Sequence, residues 1–84
     1  MSDPDHTLTK VQQVFQAAFD MNPQLVTMET NPKDIPAWDS VGHLELVSKL
    51  ELAFGVAFDV DEVIEMENVR EIVRIIEPKL SKKV

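Results

Sequence analysis

The chain has 84 residues, 44% of them hydrophobic, with no cysteine and 15 acidic against 8 basic side chains, a net charge of −7. That length supports one domain, residues 1–84, burying about 60–65% of its unfolded surface, and the missing cysteines exclude disulfides, Fe–S ligation, cysteine zinc sites and a thiolate nucleophile of its own. The charge disfavours nucleic acid and anionic lipid, and no run approaches the roughly 18 apolar residues of a membrane span, so a cytoplasmic, monomeric protein that meets basic partners is expected.

The acidity is uneven. Residues 34–77 hold eleven carboxylates against Lys49, Arg70 and Arg74, whereas the last seven residues hold three lysines and no acid. Residues 78–84 read as a flexible basic tail after Pro78.

Glycine is scarce and no period-two run of β-branched residues occurs, so the chain reads as helical. The first helix opens at Asp3-Pro4, a capping residue followed by proline at the first helical position. Leu8, Val11, Phe15, Ala18 and Phe19 then recur at spacings of three and four, and Met21-Asn22-Pro23 closes the element. Residues 21–39 contain three prolines with Leu25, Val26, Met28, Ile35 and Trp38 scattered among polar residues. This is expected to be a long loop that folds back over the core, with a short helical turn at Asn22-Pro23. A second helix is expected over Ser40–Phe54, capped by Asp39 and ended by Gly55. A short third helix is expected over 59–66, with Asp59 and Glu62 at capping-box spacing. The last helix pairs Asn68 with Glu71 in the same way and carries Val69, Ile72, Val73 and Ile76 on one stripe up to Pro78. The fold class is all-α: a small four-helix bundle of three longer helices and one short one, with a long loop after the first. Met21, Met28 and Met66 are expected in the core.

The second helix has two apolar faces. At 100° per residue, Leu44, Leu46, Val47, Leu50 and Phe54 form a broad core face, while Val41 and Leu52 fall on the opposite side beside Glu45 and Ser48. Two isolated surface residues are common, and an apolar contact patch oriented by a carboxylate is the other reading.

Asp39-Ser40 begins that helix. Asp39 serves as a cap in either reading, but a serine in the first turn also lies beside unpaired backbone N–H groups that tolerate an attached phosphate. His43, three residues on, raises a Ser–His hydrolase, which would lack an oxyanion hole. Asp59-Val60-Asp61-Glu62 lacks the glycine and spacing of a calcium loop, and His6 and His43 are too few for a metal site and are expected at the surface or boundary.

The stretch WDSVGHLELVSKLELAFGVAF, Trp38 to Phe58, resembles the signature region of acyl carrier proteins. Asp39, Ser40, Leu44, Glu45, Leu46, Val47, Leu50, Glu51, Phe54 and Gly55 stand at the family spacing without a gap, and the similarity extends over roughly residues 4–77. The resemblance implies a non-catalytic carrier. In it Ser40 receives 4′-phosphopantetheine from coenzyme A through a phosphopantetheinyl transferase, with Asp39 helping to orient that enzyme and its Mg²⁺. The arm's thiol then carries acyl groups as thioesters to loading and processing enzymes with basic docking patches. Val41, Glu45, Ser48, Glu51 and Leu52 are implied to face those partners, and Phe58 to lie near the arm. Members serving fatty-acid synthesis carry acids where Gly42 and Leu52 stand, and here Lys49 adds a positive charge. The WDSxGHL form is more similar to carriers of specialised acyl, polyketide or aminoacyl (D-alanyl-type) pathways. An unmodified acidic interaction domain docking through Val41, Glu45 and Leu52 is the reading from another class.

Overall fold

The computed structural model describes residues 4–81, and among them it contains four α-helices and no strand. Helix α1 spans Pro4–Phe19, α2 Ser40–Phe54, α3 Val60–Glu65 and α4 Val69–Ser81, with a 3₁₀ turn at Pro23–Leu25 in the long connection. This is the small all-helical bundle expected from the periodicity. The Asp3 cap and residues 82–84 of the expected tail lie outside the described residues.

Helix α1 buries Val11 and Phe15 completely, with Leu8, Ala18 and Phe19 half-buried on the same stripe; Val14, off that stripe, is buried as well. It stops at Phe19, earlier than Met21-Asn22-Pro23, because Asp20 turns left-handed at φ 51°. The Asp20 N–H still reaches the Gln16 carbonyl at 2.9 Å. Aspartate accepts this conformation more readily than most residues, so the chain turns without glycine.

The long connection packs back over the core, burying Val26, Thr30, Ile35 and Trp38. Its backbone is satisfied locally and by its neighbours: Gln12 Nε2 donates to the Val26 carbonyl at 2.7 Å, and Thr27 N–H to Thr30 Oγ1 at 2.8 Å. It also caps α4. The Val69 and Arg70 N–H groups donate to the carbonyls of Thr30 and Met28 at 2.9 and 3.0 Å, while Asn68 takes Glu71 N–H on its side chain and Ile72 N–H on its carbonyl. The donors that a helix start leaves without intrahelical partners are thus accounted for. The expected reach-back of Glu71 is not made; its carboxylate faces Arg74 at 3.2 Å instead. At α3 both halves of the Asp59–Glu62 capping box are present.

Helix α4 buries Val69, Ile72, Val73 and Ile76, and Thr7 Oγ1 donates to Glu77 Oε2 at 2.6 Å to tie α1 to its far end. Pro78 does not end it. A proline costs the helix a hydrogen bond, but the turn beyond is anchored: Leu80 packs against the core, and Lys79 Nζ lies 2.9 Å from Glu62 Oε1 and 5.6 Å from the Phe58 ring centre. Residues 78–81 are therefore helix, not tail. Met66 is buried in the core as expected, with Met21 and Met28 half-buried at its edge.

Leu44 corrects the reading of α2. Placed on the core face by its angle, it is 64% exposed. The buried residues are Gly42, Leu46, Val47, Leu50 and Phe54, an arc of about 140°. Helix α1 packs on that arc and its buried residues join the common core, whereas the direction of Leu44 is left open.

Candidate functional site

Trp38 anchors the start of α2. Its buried ring meets Phe15 edge-on at 5.1 Å between centres and lies 6.5 Å from Phe19. One residue later Asp39, in extended conformation, accepts Gly42 N–H on Oδ1 at 2.8 Å, and its carbonyl accepts His43 N–H at 2.7 Å. Ser40 is the first residue of α2 and is exposed. Among the described residues neither its hydroxyl nor the N–H groups of Ser40 and Val41 have a hydrogen-bond partner. A hydroxyl and two amide donors at the positive end of a fifteen-residue helix suit a phosphodiester.

His43 lies at the boundary, as expected, and both of its ring nitrogens are engaged. Trp38 Nε1–H donates to His43 Nδ1 at 2.8 Å, the two ring planes lie 18° from parallel, and His43 Nε2 lies 2.8 Å from the Val63 carbonyl. An indole N–H only donates and a carbonyl only accepts, so Nδ1 bears the lone pair and Nε2 the proton. Both ring nitrogens are committed, leaving no base for Ser40. This removes the Ser–His hydrolase. The signal available in the sequence was Trp38: a buried indole N–H needs an acceptor, and His43 is the polar ring nearest along the chain.

An open groove of about 450 Å³ runs beside Ser40, lined by Pro32, Trp38, His43, Val63, Ile64 and Met66, with Asp39 and Glu67 at its edge. Ile64, 68% exposed, forms its outer wall and was not singled out in the sequence. The outward face of α2 carries Val41, Leu44 and Leu52, all well exposed, around Glu45 and Ser48. A second groove of about 640 Å³ follows this face against Ala17 and Ala18 of α1. Glu51 and Phe58 do not join that face. Glu51 Oε2 accepts the Phe58 N–H at 3.0 Å, and half-buried Phe58 packs against the core under Lys79, so the pair ties the α2–α3 connection together. Among the described residues no three His, Asp or Glu side chains gather as a metal site requires, and no helix is long and apolar enough to cross a membrane.

Residues 37–76 match the family model described as the phosphopantetheine attachment site. The match begins just ahead of Asp39-Ser40 and runs through α2, α3 and the buried stripe of α4, and it supports a phosphopantetheine carrier of the acyl carrier protein type in this part of the chain. Its covalent cofactor is 4′-phosphopantetheine, and its general partners are a phosphopantetheinyl transferase and acyl-processing enzymes. No curated protein matches the chain.

Proposed function

We propose that Ser40 is the attachment point and that the protein is a non-catalytic acyl carrier of a dedicated pathway. The observation that carries the first part is the Ser40 hydroxyl at the start of α2, which, like the two amide donors beside it, has no partner among the described residues, next to an open apolar groove. The residues fit the group: the Ser40 and Val41 amides and the helix dipole favour its phosphate, and Trp38, Val63 and Ile64 offer apolar surface alongside. When bound, 4′-phosphopantetheine supplies the thiol that holds the cargo as a thioester. Asp39 has two tasks, capping α2 and presenting a carboxylate to the transferase. Val41, Leu44 and Leu52 provide apolar contact to partners, with Glu45 fixing orientation toward a basic patch.

The dedicated pathway is supported by that same face. Leu52 is apolar, Lys49 is exposed and basic, and the Glu51 carboxylate is turned to the Phe58 backbone, which leaves Glu45 as the outward carboxylate between Ser40 and Leu52. A partner selected by apolar fit, with little charge, differs from one that reads a strongly acidic helix. The cargo class follows from the loading enzyme, with fatty acyl or polyketide chains ahead of an aminoacyl group.

The test is incubation of the purified apo-protein with coenzyme A, Mg²⁺ and a broad-specificity phosphopantetheinyl transferase, followed by intact mass measurement. The wild type should gain one phosphopantetheine and Ser40→Ala none. An unchanged wild-type mass, with a known carrier converted in the same tube, would leave the unmodified interaction domain as the reading.

A further inference from the structure

We propose that His43 is a positioning residue of the carrier site: its neutral imidazole, held by Trp38 Nε1–H on one side and the Val63 carbonyl on the other, fastens α3 against the start of α2 and so sets the groove beside Ser40. Helix α3 is six residues long, it buries none of them fully, and Val60 and Ile64 point largely into solvent. Val63 packs against the core, and on the far side the Glu62–Lys79 pair ties the helix to α4. Facing Ser40, the His43–Val63 bond joins α2 to α3.

The inference rests on the reading of Ser40 as the attachment point only for its consequence, since the fastener is testable in the apo-protein. Amide hydrogen exchange is followed for Val63 and Met66, whose N–H groups bond to Asp59 and Val63 carbonyls, with Val11 and Phe15 of α1 as internal controls. Wild type, His43→Leu and His43→Gln are compared under one set of conditions, rates corrected for intrinsic exchange. Glutamine retains an acceptor and a donor. His43→Leu should exchange at Val63 and Met66 roughly threefold to tenfold faster than wild type, with α1 unchanged and glutamine restoring much of the protection. Equal exchange in wild type and His43→Leu, no protection restored by His43→Gln, or acceleration of α1 in step with α3 would each overturn the proposal. A protein that shows the latch but takes up no phosphopantetheine leaves the proposal standing and removes the attachment reading instead.

Discussion

The carbonyl oxygen of Ala37 occupies the space in which a β-carbon on Gly42 would stand, and the Phe19 ring closes the same space from α1. The loop can therefore lie tightly on the first turn of α2 only if residue 42 has no side chain. This position, an acid in the fatty-acid carriers that the sequence resembles, is set here by packing. Gly42→Ala should cost about 1–3 kcal/mol, seen as a lower urea midpoint with unchanged slope. Gly42→Asp should cost at least as much, and should not turn the protein into a more acidic but equally stable version of itself.

Asp39 separates capping from charge. Its side chain accepts Gly42 N–H, and asparagine can make the same bond. Asp39→Asn should keep stability within about 0.5 kcal/mol of wild type, whereas Asp39→Ala should lose about 1 kcal/mol. If the carboxylate also serves the transferase, both variants load more slowly. Loading of Asp39→Asn at the wild-type rate would confine Asp39 to capping.

The bundle and the position of Ser40 were legible because they depend on local rules: caps at Asp39, Asp59 and Asn68, a left-handed Gly55, and apolar stripes at helical spacing. Leu44, Glu51 and Pro78 were misread for one physical reason, since their states depend on which distant element is near. An angle on a helix says where Leu44 points, but not whether another element covers it. Glu51 fits an outward carboxylate until the Phe58 N–H, seven residues later, turns back to meet it. Pro78 reads as a stop until Leu80 and Lys79 are seen to be held from outside the helix.

Thr7, near the start of α1, and Glu77, near the end of α4, meet at 2.6 Å, with Thr7 fully buried. Thr7→Val keeps the shape and removes the donor, leaving a half-buried carboxylate oxygen without it. The expected loss is about 1–2 kcal/mol in denaturant unfolding. A variant as stable as wild type would mean that water replaces the hydroxyl without cost.

Glu45, on the outward face, should be dispensable for folding. Glu45→Lys is expected to leave the thermal midpoint within a few degrees of wild type and to weaken docking of a basic partner several-fold, while Leu52→Ser weakens it by loss of apolar contact. Titration of each variant against a transferase, read as the Kd, checks both. Equal Kd values in wild type and Glu45→Lys would remove Glu45 from the recognition face.

The attachment point itself is open to a direct measurement. The chain has four serines, and cleavage after Lys33 and Lys49 yields a peptide, residues 34–49, whose hydroxyl amino acids are Ser40 and Ser48 alone. Fragmentation of this peptide from protein loaded with coenzyme A and a transferase should place phosphopantetheine on Ser40, with Ser48 unmodified. Phosphopantetheine on Ser48, or on a peptide outside 34–49, would contradict the account.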